Sequence, residues 1–173
     1  FATAIGDTRL NFAFHLDATR YAKYLRKKSE KAGVRRVEGL IEDVQKDPQS
    51  GEIKALLLKS GELIEGDLFI DCTGFRSLLL GESLGVEFDD WSHWLFSDRA
   101  IAVQMESIDE PVPYTRATAH PSGWQWRIPL QSRVGNGIVY SSRFMSDDEA
   151  KQALLNNISG KMITEPRHIK YRT

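Results

Sequence analysis

The sequence predicts a mixed fold, α+β with an α/β portion, in two parts: a helix, a β-meander and a buried strand, then mainly antiparallel sheet with one helix. Three observations predict it. Ala18, Tyr21, Ala22 and Leu25 recur at i, i+3, i+4, i+7, the spacing of one helix face. Short runs from residue 40 onward are separated by Pro- and Gly-bearing turns, the pattern of a meander. Residues 68–72 are apolar without alternation, as a strand covered on both faces is. The boundary is placed between Gly85 and Arg99, dividing the chain into 1–88 and 89–173.

Each element has a local reason. Asp17 can cap a helix running to about Ala32, with Gly33 as its stop. Its basic residues, among them Arg20, Lys23, Lys27 and Lys31, read as a solvated face with cations near the C-terminus rather than as a phosphate patch. Strands are expected at 34–37, 40–46, 52–59 and 62–65, with the Asp47-Pro48-Gln49-Ser50-Gly51 and Ser60-Gly61 turns between them. The run 68–72 ends in Thr73-Gly74, and 75–84 reads as a helix or helical turn stopped near Gly85. Further strands are expected at 99–105, 114–119, 123–130 and 137–144. Ser146 with Glu149 three residues on is a capping box. It opens a helix to about Ile158 whose apolar face is Ala150, Ala153, Leu154 and Ile158. Residues 169–173 read as a strand cut short, and the start at Phe1 lacks the basic and apolar regions of a signal peptide. Both ends are expected to be those of an excised segment.

Composition excludes several classes of function. The chain has 173 residues, 41% of them hydrophobic, enough for one core and a share in a second. A net charge of −1 gives no reason to expect nucleic acid or an anionic membrane as partner. No apolar run approaches the roughly 20 residues that span a bilayer. The single cysteine, Cys72, rules out an internal disulfide and fits a reducing, cytoplasmic setting. It has no flanking base and is expected to be a buried structural thiol rather than a nucleophile. His15, His93, His120 and His168 lack the clustered spacing of metal ligands, so no metal site is expected. There is no G-x-G-x-x-G and no P-loop, hence no complete dinucleotide fingerprint.

Two stretches carry chemistry. In Leu68-Phe69-Ile70-Asp71-Cys72-Thr73-Gly74, a strand ending in a small residue and a glycine lets backbone approach a ligand; a plain strand-to-turn exit explains it equally well. In Gly123-Trp124-Gln125-Trp126-Arg127-Ile128-Pro129-Leu130, alternation puts Trp124, Trp126, Ile128 and Leu130 on one face, Gln125 and Arg127 on the other. Two indoles and an isoleucine make a stiff apolar wall, and Pro129 ends regular ladder donation. An amphipathic strand packing its own core would show the same alternation.

The order helix, meander, strand, Thr-Gly resembles the later half of the FAD-binding domain in glutathione-reductase-like flavoproteins. The W-x-W-x-I-P run resembles the signature of flavin-dependent halogenases, particularly the tryptophan halogenase family. Phe14-His15-Leu16-Asp17-Ala18, the Asp67 to Arg76 segment, Pro113-Tyr114-Thr115 and Gly137-Ile138-Val139-Tyr140-Ser141-Ser142 resemble that family in the same order, so the likeness covers essentially the whole chain.

The resemblance implies that Thr73 and Gly74 approach FAD, that the backbone of Val44 passes the adenine, and that Leu25 packs inward from its helix. It implies that Trp124, Trp126, Ile128 and Pro129 lie near the flavin, filling the space where a hydroxylase would bind its substrate. The enzyme it implies takes reduced FAD from a separate flavin reductase, uses oxygen and a halide ion, and halogenates tryptophan or a related small aromatic substrate; a homodimer is compatible. The family's phosphate loop, lysine and glutamate are expected outside the chain, so no catalytic residue is assigned within it and the isolated segment is expected to be inactive. The alternatives are a flavin-dependent aromatic monooxygenase or a homologue of other activity, and an inert binding or structural domain.

Overall fold

The computed structural model describes residues 13–173, so the reading of the chain's start at Phe1 lies outside the described residues. These residues form two units, one of 28–91 with Arg172, the other of residues up to 27 with 92–171 and Thr173.

The helix α1 (Ala18–Lys31) begins where the sequence places it. The Asp17 carboxylate accepts from the amides of Thr19 and Arg20, both at 3.1 Å, and so satisfies two donors that a helix start leaves over. Its basic residues are exposed, as a solvated face requires. The inward packing expected of Leu25 is not seen: no residue of α1 is buried, because nothing among the described residues covers its apolar stripe.

In the 28–91 unit, β1 (Ile41–Lys46), β2 (Ile53–Leu58) and β3 (Leu63–Glu65) form an antiparallel meander in chain order. The Asp47 carboxylate closes the first turn by accepting from the amides of Gln49 and Ser50 at 2.8 and 2.9 Å. The expected strand at 34–37 is absent. Arg35 instead donates to Glu62 at 2.6 Å and Arg36 pairs with Glu38, so charged side chains rather than a ladder hold this stretch.

The segment 68–72 joins no sheet among the described residues, which corrects the buried strand. Leu68 and Ile70 are 82% and 79% exposed, whereas Phe69 and Asp71 are half-buried. A strand is covered on both faces only when neighbours pair with it and layers pack on it, and no strand among the described residues pairs with this one. Cys72 falls on the open side and is exposed, not a buried thiol. The helical stretch after it is a short 3-10 turn, Gly74–Arg76, followed by a π-helical turn, Leu78–Ser83.

The other unit is built on five antiparallel strands in the order β5-β6-β7-β4-β8. They are β4 (Arg99–Met105), β5 (Arg116–His120), β6 (Gly123–Pro129), β7 (Val134–Tyr140) and β8 (Arg167–Lys170). The second and fourth of the expected strands shift by a few residues; for the fourth, the tight Leu130 to Arg133 turn, closed by a 2.8 Å backbone bond, starts β7 early. The helix α2 (Asp147–Asn156) opens on the capping box, with Glu149 bonded to both the Ser146 amide and its hydroxyl. Ala150 and Leu154 pack with Ile101, Val103, Met105, Val134, Ile138 and Tyr140, and Ala153 and Ile158 flank them. Cross-strand partners share a face, so α2 covers the side of the sheet that carries Ile101, Ile138 and Gln125.

Candidate functional site: a tryptophan face turned away from the core

Because β6 alternates, placing Gln125 and Pro129 against the core sends Trp124, Trp126 and Ile128 to the opposite face. Gln125 and Pro129 are buried, while Trp124 is 43% exposed and Trp126 and Ile128 are half-buried. The tryptophans therefore do not pack the core of their own unit. A strand whose only task was core packing would be turned the other way.

The floor beneath the indoles is made of small residues. Along the register, Trp126 faces Ala117 on one side and Gly137 on the other, and Gly137 faces Ala102. The far edge of the Trp126 ring occupies the space beside Gly137: a β-carbon there would stand 2.1 Å from its Cζ2 and 2.6 Å from the Ile101 carbonyl. An aromatic ring thus covers a strand glycine that could carry no side chain. Trp124 leans on Trp126 with ring centroids 5.9 Å apart at 55°, a tilted pair that stiffens both.

Pro129 stands on the core face, apart from the other three residues of its motif, and what it offers is its carbonyl. His15 Nδ1 donates to that oxygen at 3.0 Å, and its Nε2 bonds the Thr115 hydroxyl at 3.1 Å. Two residues on, Asp17 pairs with Arg133 in the β6–β7 turn. That guanidinium first, and the Arg20 amide second, hold the Asp17 carboxyl down at about 2. The segment before α1 is therefore tied to the end of the tryptophan strand by two polar contacts. The sequence offers His15 no role beyond the absence of metal-ligand spacing, and no local signal links it to Pro129 more than a hundred positions away.

The Thr73-Gly74 turn lies in the 28–91 unit. The Thr73 hydroxyl donates to Asp71 at 2.6 Å and accepts from the Leu78 amide at 2.8 Å, so it is engaged inside the turn. Asp71 also accepts from the amides of Thr73, Leu79 and Leu80 at 2.9 to 3.0 Å. These bonds, that of the Thr73 hydroxyl foremost, keep the Asp71 carboxyl far below the usual range. Gly74 has φ +69 with nothing within 4 Å of the position a β-carbon would take, so its backbone is open to close approach. Asp71 is the residue that organises this turn. The Asp-x-Thr spacing of an Asx-turn was the signal for it. Val44 lies on β1 opposite Leu56 in the same unit.

The tryptophan halogenase family model matches residues 2–173. Tryptophan 7-halogenase RebH of Lentzea aerocolonigenes is 43% identical over 149 residues, which covers 84% of this chain and 28% of the relative. Among solved structures, Xcc4156, a flavin-dependent halogenase from Xanthomonas campestris, is 55% identical with a TM-score of 0.91, covering 99% of this chain and 35% of its own. BrvH, a flavin-dependent halogenase from Brevundimonas sp. BAL3, is 48% identical with a TM-score of 0.86, covering 91% of this chain and 32% of its own. The chain thus spans about a third of the length of these relatives. It is a member of the tryptophan halogenase family.

Proposed function

We propose that the whole protein is an FAD-dependent halogenase that uses reduced flavin, oxygen and a halide ion to halogenate tryptophan or a related small aromatic substrate. In this reading 1–88 is part of the FAD-binding domain and 89–173 the antiparallel domain on the substrate side. The observation that carries it is the Trp124, Trp126 and Ile128 face, turned away from its own core and stiffened over Gly137.

The residues present fit a flat aromatic cofactor. A rigid apolar face suits stacking or edge contact with a planar ring system, and Gly74 exposes backbone where a β-carbon would obstruct approach. Because the Thr73 hydroxyl is engaged within its turn, Thr73 and Gly74 would meet FAD through backbone, as would Val44. Reduced FAD, delivered by a separate reductase, supplies the electrons for activating oxygen when bound. The indoles then act by exclusion: they fill the volume an organic substrate would otherwise take and keep water out. Ile128 extends that wall. Pro129, on the other face, acts as a positioning residue, its carbonyl held by His15.

The test is product partition in the full-length protein. Replacing Trp124 and Trp126 by Ala should lower halogenated product per oxygen consumed and raise peroxide release. An unchanged ratio in both variants, with flavin still bound, would sink the assignment. A cytoplasmic location and a homodimer belong to the same proposal; among the described residues no helix is long and apolar enough to cross a membrane.

A further inference from the structure

The face of the five-stranded sheet opposite the tryptophans carries a feature that the halogenase reading does not use. Arg116 on β5 and Arg127 on β6 are direct cross-strand partners, and Arg127 is in turn opposite Asn136 on β7. Like charges placed directly opposite across a strand pair are destabilising. Neither guanidinium has a carboxylate within ion-pair distance among the described residues. Asn136 is only 3% exposed. Two guanidinium groups without a carboxylate partner thus stand in a row beside the buried Asn136.

That row lines a cleft of about 310 Å³ between the sheet, the loop 106–114 and the end of α2. A second hollow of about 250 Å³ shares Arg116, Arg127 and Asn157 with it. The size is at the lower end of small-molecule sites. The loop contributes Asp109 and Glu110 to the same cleft, together with Glu106, which pairs with Lys161 at 3.9 Å. Ile108, Val112, Val134 and Ile158 supply apolar lining.

The charges select the ligand. Guanidinium pairs grip carboxylate or phosphate in a bidentate fork, but the Asp109 and Glu110 carboxylates lining the same cleft repel a multiply charged anion. A zwitterion satisfies both sets of charges at once, its carboxylate on Arg116 and Arg127 and its ammonium toward Asp109 and Glu110. We propose that this cleft binds a free α-amino acid with an apolar side chain, a site independent of the flavin reading given above.

The experiment is calorimetric titration of the full-length protein with leucine, methionine and phenylalanine. Isocaproate and isoamylamine are run as leucine analogues lacking the ammonium and the carboxylate. At least one amino acid should bind with a dissociation constant below about 1 mM. For leucine or its tighter-binding neighbour, Arg116→Gln and Arg127→Gln should each weaken binding by roughly tenfold or more, and Arg127→Lys by less. The same Arg→Gln changes relieve like-charge repulsion, so the unliganded melting temperature should hold or rise while affinity falls. That opposite movement separates lost recognition from lost folding. Failure of all three amino acids to bind, or binding that the arginine variants leave unchanged, would overturn the site. If leucine binds, isocaproate binding as tightly would overturn the zwitterion assignment.

Discussion

At Gly137 the tryptophan face and the core meet on one atom. A β-carbon there would collide with the Trp126 ring and the Ile101 carbonyl, so Gly137→Ala must displace the indole or part the strands. The expected cost is about 1–3 kcal/mol, the range for overpacking, read by denaturant unfolding, together with a changed near-ultraviolet dichroism from the coupled indoles. Full stability with an unaltered aromatic signal would show that Trp126 does not rest on Gly137. Gly123→Ala should be worse, because there every close obstacle is backbone, the Val139 oxygen at 1.9 Å being the nearest.

Among the elements, α2 and the turn after Asp71 depend on side chains that receive backbone donors. Ser146→Ala removes the capping hydroxyl and should cost about 1 kcal/mol, with Ser146→Gly costing less; equal stability of all three proteins would deny the cap a role. The lowered Glu149 pKa, caused first by the Ser146 amide, is the electrostatic face of the same contact. Asp71→Ala strips acceptors from the Leu79 and Leu80 amides, so hydrogen exchange at those two positions should accelerate while β2 keeps its protection. Both ends of this contrast between elements were legible to different degrees. The capping box is a four-residue pattern and reads directly from sequence. The strand at 68–72 reads as buried only if partners are assumed, and hydrophobicity alone does not say whether they are there. The Phe69 and Asp71 side is packed and the Leu68 and Ile70 side is open, an alternation that its composition hides.

For the molecule as a whole, acid sensitivity gathers from scattered carboxylates. Asp17 and Asp47 have pKa values lowered from 3.8 to about 2, by Arg133 in the first case and by the Ser50 and Gln49 amides in the second. A carboxyl depressed in the folded state contributes stability above its unfolded pKa and loses it as pH falls through the folded value. The melting temperature should therefore decline between about pH 4 and pH 2. Asp17→Asn should melt lower at neutral pH and show a shallower decline. A parallel curve for the variant would mean that the Arg133 pair contributes nothing to folding. The candidate site was legible at the same scale only in part. The alternation of β6 and its unusual pair of tryptophans were visible in the chain, but not the side of the sheet that α2 would cover.

By itself the sequence determined what depends on near neighbours: the Asp17 and Ser146 caps, the turns at Asp47 and Ser60, the period of β6 and the motif that marks the family. Each is settled within a few residues by hydrogen-bond geometry or steric preference. Tertiary structure decided what depends on distant partners: the outward turn of Trp124 and Trp126, the exposure of Cys72, the hold of His15 on Pro129 and the facing of Arg116 with Arg127. A strand's period says that its two faces differ. Only the layer that packs against it chooses which one is the inside.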